Sequence, residues 1–127
     1  MITIDLSKCS NLTEIKQSAF RTNNTLTSVT LPTNLEIIGA QAFTYCGQLT
    51  SVNFSECTGL TQIKDLAFDH CPLLSTSVDL ENAINLTSFG QQAFRFCDSL
   101  TSISLPSNLS SLGIQTFSDC PNLSSIT

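Results

Sequence analysis

Six cysteines carry the most versatile chemistry in this 127-residue chain, because a thiol can ligate a metal, form a disulfide or act as a nucleophile. None of them forms a C-x-x-C pair, and the single histidine, His70, directly precedes Cys71. The spacing typical of a zinc site is therefore absent, and we expect no metal and no cofactor. Four cysteines share one position of a repeated motif and two share another: Cys46, Cys71, Cys97 and Cys120, then Cys9 and Cys57.

The recurring cysteines have two interpretations. Buried cysteines behave as small hydrophobic side chains, and such free thiols suit a regular stack of repeats. A disulfide framework is the alternative, because neighbouring repeats could bring Cα atoms into the ~4.4–6.8 Å window that a bridge requires. Bridges would divide a regular ladder of thiols into pairs, so we favour free thiols. Cys9 and Cys57 lie two repeats apart, which is too far for a bridge in a regular stack.

No constellation of catalytic residues is visible. Nucleophilic or acid–base catalysis needs a nucleophile, a base and a group that orients the base. The only histidine is His70, and both it and its neighbour Asp69 are predicted to be ordinary surface residues, as are Lys64 and Asp65. The five glycines are dispersed and form no phosphate-binding loop. The sequence therefore indicates a protein that is not an enzyme.

Composition argues against two classes of partner. The net charge is −5 and the five basic residues are scattered singly, so the chain has no basic patch for nucleic acid. No apolar run approaches the roughly 20 residues that a membrane-spanning helix needs, so we expect no membrane insertion.

The cysteine motif belongs to a repeat that organises the whole chain. Its form is Ala-Phe-x-x-Cys-x-x-Leu, and its phenylalanines lie 23, 25, 26 and 23 residues apart. Self-similarity at this period is typical of stacked-repeat proteins, in which equivalent side chains form ladders. We therefore expect the recurring phenylalanines to form a buried structural ladder beside the recurring cysteines. They are Phe20, Phe43, Phe68, Phe94 and Phe117.

Each repeat also predicts a short β-strand. Counted from the leucine that ends each motif, apolar residues at positions four and six alternate with polar ones, which is the pattern of a half-buried strand. The unit reads L-x-x-L-x-L-x-x-N/C, the leucine-rich-repeat pattern. One domain, residues 1–127, then holds about five repeats of 23–26 residues, with an inserted residue displacing Leu74. The units begin near residues 1, 26, 49, 75, 100 and 123.

The motif itself predicts a second kind of element. Its apolar residues at i, i+3 and i+6 favour a short helical or 3₁₀ turn on the back of the stack. The predicted fold class is therefore α/β. We expect a right-handed, curved leucine-rich-repeat solenoid, with a parallel β-sheet on the concave face and short helical or 3₁₀ turns on the convex face.

The complete unit resembles the BspA-like leucine-rich repeats, whose pattern is L-x-x-I-x-L-P-x-x-L-x-x-I-G-x-x-A-F-x-x-C-x-x-L. Residues 26–49 match it almost position for position, and residues 100–123 match as closely with Thr116 in place of alanine. The departures are two-residue insertions in three units and Asn23 in place of the first cysteine. The resemblance implies a non-catalytic recognition protein at the cell surface or secreted. Some members of that family adhere to host matrix proteins.

Two functions follow from these observations. The first is recognition of a protein ligand, with adhesion to host matrix proteins as one form of it. The alternative is a ligand-free structural spacer or an engineered repeat scaffold, which the near regularity of the units favours. Because the chain begins and ends within the repeat pattern, we expect a fragment or an uncapped array. Its exposed strand edges would then allow self-association.

One motif position differs in every repeat, namely the residue two after each phenylalanine. Equivalent side chains line up along a stack, so three rings at this position would form an aromatic stripe. Exposed aromatic patches mark interaction sites, although the rings could instead pack on neighbouring turns. The position holds Thr22, Tyr45, His70, Phe96 and Asp119. The candidate partner-binding residues are three rings and two flanking charges: Tyr45, His70, Phe96, Arg95 and Asp69.

The concave face is the other surface that could bind a partner. Its outward residues are small, rich in hydroxyl groups and nearly uncharged, and they lack the Trp, Tyr and Arg that binding hot spots favour. This face is either non-binding or suited to a broad, weak interaction. The predicted outward residues are Thr27, Ser28, Thr30, Thr50, Ser51, Asn53, Thr76, Ser77, Asp79, Thr101, Ser102 and Ser104.

Overall fold

The chain folds into short β-strands joined by turns. The computed structural model describes residues 1–75 and 77–127. Each repeat unit contributes a first strand, and the first four units contribute a second one. The strands are β1 (Ile2–Asp5), β2 (Glu14–Ile15), β3 (Leu26–Thr30), β4 (Ile37–Ile38), β5 (Ser51–Asn53), β6 (Gln62–Ile63), β7 (Ser77–Asp79), β8 (Ser88–Phe89), β9 (Ser102–Ser104) and β10 (Ser125–Ile126).

The first strands pair in parallel. β1, β3 and β5 form one sheet in that order, and β7, β9 and β10 form another. Equivalent repeat positions face each other, since Ile4 pairs with Val29 and Val29 pairs with Val52. The apolar position is the inward one: Val29 is 1% exposed, whereas its neighbours in β3 are partly exposed. The prediction of a parallel-stranded solenoid of about five turns is confirmed.

A second ladder runs through the units, and sequence reasoning missed it. The two-residue strands β2, β4, β6 and β8 form one parallel sheet that brings Ile15, Ile38 and Ile63 into register. Two residues are too few to show the alternation that reveals a strand. The units approach closely here, because a Cβ atom on Gly39 would lie 2.6 Å from the carbonyl oxygen of Ile15. Glycine at position 39, directly after β4, is therefore a steric requirement.

The prediction of helical or 3₁₀ turns on the convex face is wrong. Among the described residues the motif folds as consecutive turns and no helix is present. The N–H of Phe43 donates to the carbonyl of Ala67 in the next unit (2.8 Å), while the N–H of Thr44 bonds locally to Gln41 (3.3 Å). A helix would satisfy both groups within its own segment. No helix in residues 1–75 or 77–127 is long and apolar enough to cross a membrane.

The ladder of phenylalanines forms the centre of the core. Phe43, Phe68 and Phe94 are fully buried, and successive ring centroids lie 5.1 Å apart. The terminal rings of the ladder are only partly buried, because each has a neighbour on one side alone. We call this ladder the inner stack. Its members are Phe20, Phe43, Phe68, Phe94 and Phe117.

The fourth unit interrupts the ladder of first strands. In residues 1–75 and 77–127, β5 and β7 share no strand pairing, whereas the second strands β6 and β8 of the same units do pair. The interruption falls where the sequence carries the inserted residue before Ser75. Thr76, which is predicted to lie on the concave face, is outside the described residues.

Candidate partner-binding surface

The cysteines are free thiols, and those of the repeated motif make structural hydrogen bonds. Each thiol of the recurring position donates to the carbonyl oxygen of the phenylalanine in the preceding unit. The predicted role as a small hydrophobic side chain is therefore incomplete, since the thiol also satisfies a backbone acceptor. The Sγ–O distances are 3.1 Å for Cys46 and Phe20, 3.1 Å for Cys71 and Phe43, 3.3 Å for Cys97 and Phe68, and 3.0 Å for Cys120 and Phe94.

Burial keeps the core thiols protonated. Desolvation raises the pKa of Cys46 from 9.0 to about 11 and the pKa of Cys57 to about 12. Desolvation also raises the pKa of Cys71. The thiolate is the form that ligates metals and attacks electrophiles, so these thiols are poorly suited to either role at neutral pH. No cluster of three metal-ligating side chains occurs in residues 1–75 or 77–127.

The position of Tyr45 shows how the motif presents a side chain at the surface. Its φ is 59°, in the left-handed region that L-residues rarely adopt. The N–H of Cys46 bonds back to the carbonyl of Phe43 (3.2 Å), which closes a turn with Tyr45 in its third position. The N–H of Tyr45 then donates to the carbonyl of Asp69 in the next unit (3.0 Å). The equivalent residues of the next two units have φ values of 55° and 56°.

The structure brings the three aromatic candidates together in one stack, which we call the outer stack: Tyr45, His70 and Phe96. The centroid distances are 4.4 Å for both Tyr45–His70 and His70–Phe96, with interplanar angles of 27° and 36°. Tyr45 remains 45% exposed. The rings therefore pack on neighbouring turns and also form a surface stripe. Stacking covers both faces of His70 and leaves its edge to solvent, whereas Tyr45 has a stacked ring on one face alone.

Asp69 anchors the outer stack from below. Only 3% of Asp69 is exposed, which corrects the expectation that it is a surface residue. Its Oδ2 lies 2.9 Å from Nδ1 of His70, and its Oδ1 accepts a 2.9 Å bond from Nε of Arg95. Because the Asp69 carboxylate accepts this bond, it raises the pKa of Arg95 above its usual value. Arg95 lies over the ring of Phe96, with Cζ 5.0 Å from the centroid, so the two charges hold both ends of the His70–Phe96 pair.

A shallow groove accompanies the outer stack, and sequence reasoning missed it. One depression of about 400 Å³ spans the first three units, and another of about 530 Å³ spans the last two. Both lie between the variable position and the residue two places after it. The available signal was the recurrence of glycine or proline at that later position, directly after the cysteine. It holds Asn24, Gly47, Pro72, Asp98 and Pro121.

The face formed by the first strands carries a smaller depression of about 260 Å³, at the interruption between β5 and β7. Several of its polar groups are already used by local turns. Asp79 Oδ1 accepts from the N–H of Glu81 (3.0 Å), and Asn53 Oδ1 accepts from the N–H of Ser55 (2.9 Å). Whether this face is non-binding or binds weakly stays a prediction.

The chain is similar to known proteins along almost its whole length. A family model described as the BspA type leucine-rich repeat region matches residues 4–127 in six copies. The matched range includes both ladders and both aromatic stacks. No curated protein matches the chain significantly.

Three solved structures share the fold. A leucine-rich-repeat protein of T. pallidum is 31% identical, with a TM-score of 0.83 over 90% of this chain and 51% of its own. A leucine-rich-repeat protein from Bacteroides ovatus is 24% identical, with a TM-score of 0.76 over 91% and 28%. The pneumococcal vaccine antigen PcpA is also 24% identical, with a TM-score of 0.70 over 87% and 26%. The chain thus spans about half, or less, of the length of these proteins.

Proposed function

The chain belongs to the BspA-type leucine-rich-repeat family, and from that membership we propose that it is a non-enzymatic protein-recognition module. Repeat solenoids present extended surfaces to their partners, and each unit adds to that surface. The family resemblance supports a location at the cell surface or secreted, and adhesion to host matrix proteins as the form of recognition. The observation that carries the proposal is the outer stack.

The outer stack suits recognition because it is both exposed and held in place. Tyr45 and His70 stack at 4.4 Å, and Asp69 contacts His70 from below. Aromatic side chains dominate binding hot spots, and a surface that is fixed before binding loses less conformational entropy on contact. Packing of the units does not require rings at this position, since the first and last repeats hold Thr22 and Asp119 there.

The alternative is a ligand-free structural spacer or an engineered repeat scaffold, and the face of the first strands favours it. Hydroxyl groups on this face make bonds within the stack. Thr27 Oγ1 donates to the carbonyl of Ile2 (3.0 Å), and Thr50 Oγ1 donates to the carbonyl of Thr27 (3.0 Å). Hydroxyls used in this way hold neighbouring units together and are not free for a ligand.

Surface plasmon resonance over immobilised fibronectin, fibrinogen, laminin and collagen tests the recognition proposal. The variant Tyr45→Ala/His70→Ala/Phe96→Ala removes the outer stack. We expect its affinity for a bound matrix protein to fall at least ~tenfold, because truncating a hot-spot residue costs about 2 kcal/mol or more. The matched control, Ser51→Ala/Ser102→Ala, removes hydroxyls from the face of the first strands and should bind like the wild type. Circular dichroism verifies that both variants are folded.

The outcomes separate the two functions. Loss of binding in the outer-stack variant alone supports recognition through that surface. Equal binding by all three proteins contradicts the choice of surface, and loss in the control alone assigns binding to the first strands instead. A wild-type chain that binds none of the four matrix proteins favours the spacer.

We also propose that the chain self-associates through the ends of its stack. Ile114 and Ile126, in the last units, are 68% and 51% exposed, and Met1 and Ile2 are exposed at the other end. A second copy docked end to end would remove such apolar area from water. Light scattering should give a concentration-dependent mass above 13.7 kDa, and Ile114→Lys should lower it. A strictly monomeric chain at high concentration contradicts this proposal.

A further inference from the structure

The groove along the outer stack has features that select one kind of protein segment, and this inference rests on the proposed recognition function. We propose that the groove binds an extended, proline-rich peptide in the polyproline II conformation. A basic residue at one end of that peptide lies over Asp98 and Asp119. Four features of the surface lead to this ligand: the ring edges, the polar atoms on the rings, the spacing of the units and the charges at the two ends.

The ring edges exclude two other ligands of aromatic surfaces. Neighbouring rings cover the faces of His70, and Arg95 lies 5.0 Å from the centroid of Phe96. Sugars stack on ring faces, and quaternary cations are also held by them, so neither ligand suits the His70–Phe96 part of the stripe. The edge of an aromatic ring carries the positive part of its quadrupole. Ring edges therefore favour oxygen atoms such as the carbonyls of an extended peptide.

The polar atoms on the rings require a ligand whose backbone groups are free. Among the described residues, the hydroxyl of Tyr45 has no hydrogen-bond partner and can donate to a peptide carbonyl. Nδ1 of His70 is engaged by Asp69, so in the neutral ring Nε2 is left to accept a peptide N–H. A polyproline II helix has no internal hydrogen bonds, so it offers a carbonyl at every residue and an N–H at each residue that is not proline. An α-helix uses its backbone groups internally and offers neither along its length.

Addition of a β-strand is excluded by the backbone along this row. The N–H of Tyr45 already donates to Asp69, and the N–H of His70 donates to Arg95 at 2.9 Å. The N–H of Phe96 likewise donates to Ser118 at 3.0 Å. A peptide strand binds by pairing with unpaired backbone groups at a sheet edge. The row offers side chains to a ligand while its N–H groups are used between units.

The spacing of the rings matches the polyproline II repeat. Ring centroids in the outer stack are 4.4 Å apart, so two units advance by about 9 Å. One turn of polyproline II advances about 9.3 Å in three residues. Every third residue of such a peptide would therefore meet the same surface on alternate units. A β-strand repeats its side chains every ~6.7 Å and would fall out of step with the rings.

The charges at the ends of the groove decide at which end the basic residue of the ligand lies. Asp98 and Asp119 are exposed at the end formed by the last two units. Arg95 cannot balance them fully, because its guanidinium is bonded to Asp69. Arg21 is exposed in the first unit, at the opposite end. A basic residue of the peptide is therefore attracted to the end with the two aspartates.

Fluorescence anisotropy with labelled synthetic peptides tests the inference. The probes contain two Pro-Pro-Leu triplets with Lys-Lys at either the C-terminal or the N-terminal end, because a polyproline II helix could enter the groove in either direction. We expect saturable binding of at least one probe. Replacing its prolines by glycine should weaken binding about tenfold or more, since the flexible chain loses more entropy on binding. Replacing Lys-Lys by Glu-Glu should also weaken it.

Three protein variants locate the bound peptide. Tyr45→Ala/His70→Ala/Phe96→Ala should lose the proline probes, whereas Ser51→Ala/Ser102→Ala should bind them like the wild type. Asp98→Lys/Asp119→Lys should reverse the preference, so that the Glu-Glu probe binds more tightly than the Lys-Lys probe. Circular dichroism checks the fold of each variant.

The results distinguish this inference from the proposed function. If no proline probe binds up to millimolar concentration while matrix-protein binding still depends on the outer stack, the proline-rich ligand is wrong and recognition by this surface stands. If the proline probes bind the outer-stack variant undiminished, the groove is not their site and the inference is overturned. If neither peptides nor matrix proteins depend on the outer stack, the choice of this surface fails together with the inference.

Discussion

Two aromatic stacks run side by side through this protein, and they obey different constraints. The inner stack contains only phenylalanine, is buried at its centre and has centroid distances of 5.1 Å between most neighbours. The outer stack contains three different rings at 4.4 Å and is partly exposed. One repeat builds both, since each outer ring lies two residues after an inner one, as Tyr45 follows Phe43 and His70 follows Phe68.

The difference shows where a repeat of this kind can be altered. An inner ring fills a closed volume between the rings above and below it, so another side chain would leave a cavity or a clash. An outer side chain is limited by packing along the stack but open to solvent at its edge. The end units accordingly hold Thr22 and Asp119 at this position, while every unit from Phe20 to Phe117 keeps the inner phenylalanine.

Removing an inner ring should have the largest effect on stability. Phe68 stacks on Phe43 and Phe94 at 5.1 Å and meets the edge of Phe54 at 6.0 Å. We expect Phe68→Ala to lower the free energy of unfolding by about 3–5 kcal/mol, because the lost contacts and the cavity add together. Urea unfolding followed by circular dichroism measures this. Phe20→Ala, at a partly exposed end of the inner stack, should lower the free energy of unfolding clearly less. Equal losses for the two variants would show that burial between two neighbouring rings does not determine the effect.

Removing the charge beneath the outer stack should have the next largest effect. Asp69→Asn keeps the shape of the side chain but weakens its bonds to Arg95 and His70. Hydrogen bonds to charged groups contribute about 1.5–3 kcal/mol, so we expect a loss of that order in urea unfolding. The control is Asp98→Asn, at an exposed carboxylate, which should change stability by less than about 0.5 kcal/mol. An Asp69→Asn protein as stable as the wild type would show that the ion pair does not support the rings.

The sequence predicts features in which the same type of side chain recurs at one position of each repeat. It does not predict features that arise only from contacts between neighbouring units. Val29 and Val52 recur at one position, so their parallel pairing could be predicted. The inner phenylalanines could be identified in the same way. The second strands could not, because a two-residue strand such as Ile37–Ile38 is made by pairing across units and leaves no alternation of its own.

The errors at the turns and at Asp69 have related causes. Consecutive turns repeat apolar side chains at the same three-residue interval as a short helix, so periodicity alone could not distinguish them. Only the bond from Phe43 to Ala67 of the next unit does so. Asp69 is charged and adjoins a surface histidine, which predicts exposure. It is buried because Arg95 reaches it from the following unit, 26 residues away in sequence.

The buried thiol of Cys46 should make stability depend on alkaline pH. Cys46 is fully buried, and its folded-state pKa is raised from 9.0 to about 11. A folded pKa above the unfolded value stabilises the fold fully below about pH 9, and this contribution is lost as pH rises through about 11. The stability advantage of the wild type over Cys46→Ala should therefore shrink by about 2 kcal/mol between about pH 8 and about pH 10.5.

The matched control for this pH effect is Cys9→Ala, because Cys9 is an exposed thiol. Its difference from the wild type in urea unfolding should stay nearly constant over the same pH range. If the Cys46→Ala difference also stays constant, burial of that thiol does not perturb its ionisation. The alkaline loss of stability would then belong to other groups.

The smallest predicted effect concerns the strain of the outer position itself. Tyr45→Ala and Tyr45→Gly both remove the ring, so their difference reports the backbone at φ 59°. Alanine in the left-handed region costs about 1–2 kcal/mol, whereas glycine adopts it freely and loses up to about 1 kcal/mol of chain entropy. We expect the glycine variant to be more stable in urea unfolding by up to about 1 kcal/mol.

A matched pair in an ordinary strand should give the opposite order. Thr27 lies in β3 and has no positive φ, so Thr27→Gly should be less stable than Thr27→Ala. If glycine is the less stable choice at Tyr45 as well, the left-handed turn is not strained there. In that case the outer position varies between units only because it is exposed. If the order reverses as expected, the repeat tolerates strain at the outer position in order to present a side chain, and ring stacking and the bond from Tyr45 to the Asp69 carbonyl offset it.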